Sequence, residues 1–396
     1  MRESIYKEFT CKKGIMLSSE TLEYLEHNIK NDSMLENISI EYKRRSGPKL
    51  ADLGLIREII ESLDTRKDVY NVLSQNFKEK NDLLKYRHLL QKIERVVTPI
   101  YLLDEDHATI FGCYYKDRNG REVLEDDGDI IPIDTSECHE DVFLCDNIFV
   151  AMEGRKTGDR FVMSRVHLPS IEKTSKKAKE ERRDLKVLFF SDFHMNEANG
   201  TTLRKILNKI PTGVVVLMGK LCSGKSSGIS YTSFMNGLRP NNALGSIPDI
   251  ILCPDADDVY PSFLPKEIEV PEEYSKIIKA ASNPFKLETD NFSIGVIRDD
   301  LFRYKEKGTF IGKNYVDSFA RVVLSQYSFN PFGISNLDID TIPDVFVVGQ
   351  DLYPFVVPVE GTLFISCPSF RDEMSFVSYD LSQNDAWIIN SKNVLG

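Results

Sequence analysis

Four short stretches end apolar runs with residue types that could do phosphate chemistry. Asp192 and His194 close "LKVLFFSDFH", Asp255 to Asp258 follow "DIILCP", and Gly349-Gln350-Asp351 follows "DVFVV". Carboxylates and imidazoles at strand ends are the donors that hold divalent cations and turn a bound water into a nucleophile. The fourth stretch, Gly219 to Ser226, reads "GKLCSGKS" after "VVVLM" and fits the phosphate-cradling pattern GxxxxGK[ST]. Such a loop wraps its amides around phosphate and runs straight into a helix N-terminus. Here Ser226 is followed by "SGISYTSF", a poor helix start. The octamer, with Gly219, Gly224, Lys225 and Ser226, is therefore read as coincidental, and no cofactor is expected.

The metal reading fails on the same kind of count. The six histidines stand at 27, 88, 107, 139, 167 and 194, so only His194 lies among these strands. The order of the strand ends resembles the calcineurin-like metallophosphoesterases, whose two-metal site is built from DxH, GD, GNH and GHxH blocks. Only Asp192-Phe193-His194 keeps its block. The second has Lys220 in place of a bridging aspartate, the third reads Pro254-Asp255-Ala256, and the last has Gln350 and no histidine. What the resemblance implies is a vestigial site at Asp192, His194, Lys220, Asp255, Gln350 and Asp351, with no catalytic residue and no bound metal.

These strand ends need an α/β domain to position them. From residue 185 to 396 apolar strands alternate with polar or helical segments, as in a sheet-based sandwich. Before it, residues 171–184 hold six basic and four acidic side chains and almost nothing to bury, the composition of a solvated linker. Residues 98–170 contain several short strand-like runs, including "TIFGCYYKDRNGREVLE" with an Asn119-Gly120 turn that favours a tight hairpin, and suit a small barrel of the OB type. Residues 1–97 read as helical, with stripes at Leu22, Leu25 and Ile29, then Leu53, Ile56, Ile60 and Leu63, then Leu83, Tyr86, Leu90, Ile93 and Val97. The expected fold is thus a multidomain α+β and α/β chain.

A formal charge of −11 on 396 residues argues against a protein whose main task is gripping nucleic acid phosphates. Seven cysteines with no CxxC pair read as reduced thiols inside the cell. No apolar run is long enough to cross a bilayer and no signal peptide is visible, so a soluble protein with no membrane partner is expected.

An OB-like segment before an inactivated phosphoesterase-like domain resembles the B subunits of the replicative DNA polymerases. Within them the epsilon type is the nearest match, on Asn283, Pro284, Arg298, Asp300 and Leu301 in "SNPFKLETDNFSIGVIRDDLFRY", then Leu324, Ser325 and Gln326, then Pro343, Asp344, Asp351, Pro354 and Phe355, and then Pro368, Ser369 and Phe370. Upstream, "KYRHLLQKIER" is similar through Tyr86, Leu89 or Leu90 and Gln91. The chain is shorter than familiar epsilon subunits, mainly before the OB-like segment and in the linker. The resemblance implies a nuclear, noncatalytic subunit of DNA polymerase epsilon that scaffolds the C-terminal metal-binding region of the catalytic subunit. It also allows other replisome subunits as partners, with weak or indirect DNA contact. Two alternatives stay open on the residues: a residual metal-dependent phosphodiesterase or nuclease at Asp192 and His194, and a single-stranded DNA-binding OB module stacking bases on Phe111, Tyr114 and Tyr115.

Overall fold

A computed structural model describes residues 2–29, 35, 38, 39, 42, 43, 49–64, 71–74, 82–104, 106–172, 185–222, 229–238, 247–258, 264–289, 292–333, 337–350 and 353–396. Most of the expected linker lies outside these residues, as do Gly224, Lys225, Ser226 and Asp351. The chain divides into two compact units, Met1–Asn71 and Val72–Gly396.

The first unit contains helices α1 (Ser19–Asn28) and α2 (Leu53–Asp64). Ser18 starts α1 by accepting the Thr21 amide on its hydroxyl, satisfying one of the donors a helix start leaves over. Leu25 and Ile29 from one apolar stripe and Ile56 and Ile60 from the other are buried with Ile5, Phe9 and Ile59 in one cluster.

In the second unit the helical reading needed correction twice. A strand, β1 (Asn71–Ser74), stands where only helix was expected, on the edge of a six-stranded sheet. Helix α3 (Asp82–Leu90) stops well before Val97. Pro99 disfavours helical backbone at Thr98, and Thr98 instead lies outside any helix, donating its amide to the Thr109 carbonyl.

Strands β2 (His107–Lys116), β3 (Glu122–Glu125), β4 (Ile130–Asp134), β6 (Ile148–Thr157) and β7 (Arg160–His167) close a barrel in the order β2-β3-β4-β7-β6. The β2–β3 turn is wider than a two-residue hairpin: Lys116 pairs Glu122, and Asp117 Oδ1 accepts the amides of Asn119 and Arg121. Gly120 sits there at φ 75°, a conformation glycine adopts without strain. The intervening β5 (Val142–Leu144) leaves the barrel and pairs with β14 (Thr309–Ile311), far along the chain.

The remainder is a two-sheet sandwich. One sheet has the order β11-β10-β9-β8-β18-β19, from β8 (Lys186–Ser191), β9 (Val214–Met218), β10 (Asp249–Cys253), β11 (Ile278–Ala280), β18 (Ser375–Asp380) and β19 (Asp385–Asn390). The other has β1-β12-β13-β15-β17-β16, from β12 (Phe285–Thr289), β13 (Phe292–Arg298), β15 (Val345–Gly349), β16 (Phe355–Val359) and β17 (Thr362–Cys367). β8, β9 and β10 run parallel, as do β13, β15 and β17. Parallel strands are covered on both faces, which is why "VVVLM" and "VFVVG" are apolar throughout and wholly buried. The sheets meet through the stacked rings of Phe292 and Tyr379 and through Cys367, whose thiol donates to the Phe189 carbonyl. Helices α4 (Glu197–Leu207) and α5 (Tyr231–Leu238) cover the first sheet, and α6 (Tyr315–Ser325) covers the second. The ends of β8, β9, β10, β13 and β15 therefore open on a common edge.

Candidate functional site: a strand-end ion cluster

Asp192 follows β8 in the left-handed backbone region, at φ 55°, with its amide bonded to the Met218 carbonyl at 2.7 Å. That turn buries the side chain to 1 % exposure between the two sheets. A carboxylate so far from water needs charged partners. Arg298, the last residue of β13, supplies them: its Nη2 and Nε donate to Asp192 Oδ1 at 2.7 and 3.0 Å. The other oxygen, Oδ2, takes Lys220 Nζ at 3.4 Å. Arg298 Nη2 also lies 3.7 Å from the Asp255 carboxylate, and its Nη1 donates to the Gly349 carbonyl at 3.2 Å. Among the described residues, the carboxylates of Asp192 and Asp255 thus face the guanidinium of Arg298, with the Lys220 ammonium on the far oxygen of Asp192.

The guanidinium reaches this corner because its neighbours make room. A Cβ on Gly219 would come within 2.5 Å of Arg298 Cγ, and one on Gly349 within 3.0 Å of its Cδ. Gly219 therefore has a packing reason to be glycine, at φ 63°, independent of the phosphate-loop pattern. Asn283 fixes the Arg298 backbone, accepting its amide on Oδ1 at 3.0 Å and donating Nδ2 to its carbonyl at 2.8 Å.

The other expected site residues divide. His194 is half-buried, and its carbonyl accepts from Asn196 N and Asn199 Nδ2 within the loop. Its ring lines a cavity of about 420 Å³ with Cys222, Ser230 and Ser233. Burial, reinforced by the Arg371 guanidinium, holds this imidazole below its ordinary pKa. Gln350 turns away into the second sheet, donating Nε2 to the Ser366 hydroxyl. Asp258 accepts the Asp255 amide at 2.6 Å and the Cys222 amide at 3.3 Å, tying two strand-end loops together. Burial raises its pKa to about 6.

A pair of divalent cations does not fit this arrangement. Both oxygens of Asp192 are engaged by cationic side chains, and an ammonium and a guanidinium occupy the corner where cations would be needed. Among the described residues no group of three or more His, Cys, Asp or Glu side chains is placed to hold a metal ion. Ser191 Oγ and Gln350 Oε1 are buried without a hydrogen-bond partner among the described residues, but both are neutral oxygens. The residue missing from the expected site is Arg298. Its signal is an arginine ending a mostly apolar strand, "FSIGVIR", that is buried along its whole length.

On the barrel, two of the three aromatics considered for base stacking are core. Phe111 is 1 % exposed and stacks on Phe149 and against Tyr86, and Tyr114 is 0 % exposed. Only Tyr115 keeps partial exposure.

Barrel and sandwich together define a multidomain α+β protein in which an OB-fold domain precedes a two-sheet α/β sandwich. More particularly, residues 58–170, less than a third of the chain, match the family model "DNA polymerase epsilon subunit 2-like, OB-fold domain". No curated protein matches the sequence. Among solved structures, a novel archaeal phosphodiesterase is similar at 14 % identity and a TM-score of 0.33, over 52 % of this chain and 99 % of its own. TT1561 of Thermus thermophilus is similar at 10 % identity and a TM-score of 0.30, over 53 % of this chain and 100 % of its own. Vacuolar protein sorting 29 from Cryptosporidium parvum is similar at 14 % identity and a TM-score of 0.28, over 52 % and 96 %. Likenesses of this strength say nothing of chemistry or partners.

Proposed function

We propose that this chain is the noncatalytic B subunit of DNA polymerase epsilon, which scaffolds the C-terminal metal-binding region of the catalytic subunit in the nucleus. The family match over residues 58–170 carries this reading. The strand-end cluster supports it: Arg298 and Lys220 engage both oxygens of Asp192, and among the described residues no group of three or more His, Cys, Asp or Glu side chains is placed to hold a metal ion. On this reading the vestigial site is structural, with Asp192, Lys220, Asp255 and Arg298 joining the two sheets while the Gln350 side chain is turned into the second sheet. Coexpression with the C-terminal region of the epsilon catalytic subunit, followed by gel filtration with light scattering, tests the reading. A one-to-one complex that the corresponding alpha and delta regions do not form is expected. Separate elution in all three cases would refute it.

The competing phosphodiesterase reading would need a metal at Asp192 and His194. Incubation with manganese and a generic phosphodiester is expected to give no turnover above buffer. Hydrolysis that disappears in His194→Ala would overturn the noncatalytic assignment.

A further inference from the structure

One surface of the barrel combines exposed apolar side chains with a run of carboxylates. The turn between β3 and β4 reads Glu125-Asp126-Asp127-Gly128-Asp129, followed by Ile130 at the start of β4. Asp126 is its hub. Oδ1 accepts the amides of Gly128 and Asp129 at 3.0 and 2.9 Å, and Oδ2 accepts the amide of Ile100 at 2.8 Å. That last bond pins the single helical turn Ile100–Leu102 beside the acidic turn, with Ile100 itself buried. The two residues after it are exposed, Tyr101 at 71 % and Leu102 at 58 %, as is Ile130 at 54 %, which follows the acidic turn in the chain. Scattered exposed apolar residues need no explanation, but two adjacent ones tied by a carboxylate to the turn that leads into a third form a fixed patch. Its rim on the side of the turn is negative, because Glu125, Asp127 and Asp129 are all exposed, while on the Leu103 side Lys156 Nζ donates to the Leu103 carbonyl at 3.4 Å.

The rim decides what can bind. Nucleic acid phosphates would be repelled by the carboxylates. A second copy, docking the same patch about a two-fold axis, would set the acidic turn against itself. A polypeptide with a large apolar side chain between basic ones meets both requirements, burying the aromatic and aliphatic centre while its charges meet the rim.

We infer that Tyr101, Leu102 and Ile130, rimmed by Glu125, Asp127 and Asp129, form a docking surface for a basic, apolar-centred segment of a partner protein. The surface is separate from the strand-end cluster and does not depend on which polymerase chain the subunit serves.

The test uses the full chain and two fluorescein-labelled peptides, one with a leucine pair between lysine and arginine runs and one with glutamates in their place. Fluorescence anisotropy should show saturable binding of the basic peptide only. Tyr101→Ser/Leu102→Ser should weaken it about tenfold or more, since removing an aromatic anchor and its neighbour costs at least about 1.4 kcal/mol. Asp127→Asn/Asp129→Asn should flatten its salt dependence between about 0.05 and 0.5 M salt. Because all four side chains are exposed, thermal melts should show both variants folded. Equal binding of both peptides, or binding of the basic peptide unchanged in both variants, would overturn the proposal. So would concentration-dependent dimerisation of the full chain that Tyr101→Ser/Leu102→Ser abolishes, or oligonucleotide binding that the same variant abolishes.

Discussion

Asp192 and Arg298 illustrate how one buried charge dictates the residues around it. Removing the arginine takes two hydrogen bonds from a carboxylate at 1 % exposure, and breaking a buried ion pair by removing one partner typically costs about 3–5 kcal/mol. Arg298→Met should therefore lower unfolding stability by about that much in urea. Asp192→Asn keeps the left-handed backbone, which asparagine tolerates, and removes the charge. Combined with Arg298→Met it should recover part of the loss, a coupling that a double-mutant cycle measures directly. If the two losses simply add, the pair is not the joint described. Asp258 gives a second residue-level prediction through pH. Burial raises its folded pKa from 3.8 to about 6, so between these values the folded state holds more proton than the unfolded one. Its contribution is fully present below the lower value and is lost as pH rises through the upper one. Stability of the parent minus that of Asp258→Asn should fall by about 1 kcal/mol per pH unit across this window. A flat or rising difference would show that the carboxyl is not desolvated.

At the scale of elements, the joint between barrel and sandwich rests on Gln326, immediately after α6. It is fully buried, its Oε1 accepts the Phe149 amide of β6 at 2.7 Å, and its Nε2 donates to the Phe149 carbonyl at 3.0 Å. A side-chain amide here replaces a strand neighbour that β6 lacks at this point. Gln326→Leu would leave both backbone groups buried and unpaired, at about 1–3 kcal/mol each. The expected readout is a loss of stability together with faster hydrogen exchange of the Phe149 amide. Unchanged exchange would mean that the joint lies elsewhere.

The sequence made Gln326 visible only as part of a family-like block, because glutamine has no pattern that announces a cross-domain bond. The same distinction runs through the whole chain. The parallel strands were legible since burial on both faces demands unbroken apolar runs, as in "VVVLM". The barrel was legible from short strands between turn residues. Strand β1 was not, since "NVLS" carries too few residues to show a period against its helical surroundings. Nor was the exit of β5 from the barrel, because its partner β14 is set by tertiary packing far along the chain. At the site, Asp192, Lys220 and Asp255 were found from their strand-end positions. Arg298 stands in a family-like block, yet its role depends on a distance between two sheets that no local spacing encodes.

For the molecule as a whole, these joints make the barrel and sandwich one structural unit despite their different folds. Phe143 of β5 packs on Phe319 of α6 and Phe332, with ring centroids 5.6 and 5.8 Å apart, inside a single cluster that also holds Phe111 of the barrel and Phe364 of the sandwich. Domains joined by a small polar interface move independently, whereas a shared apolar core couples their unfolding. Residues 72–396 should therefore unfold in one transition. Trp387, the sole tryptophan, lies on β19 at the far edge of the first sheet and reports on the sandwich. Native-state hydrogen exchange at Ile110 and Val150 reports on the barrel. The unfolding midpoint in urea followed by Trp387 fluorescence should coincide with the denaturant dependence of exchange at these barrel amides. If the barrel amides open at lower denaturant than Trp387 responds, the core is divided and the OB domain is free to reorient on its own. The proposed scaffolding role requires the first result, since an angle between barrel and sandwich that varied would present no constant surface to a second chain.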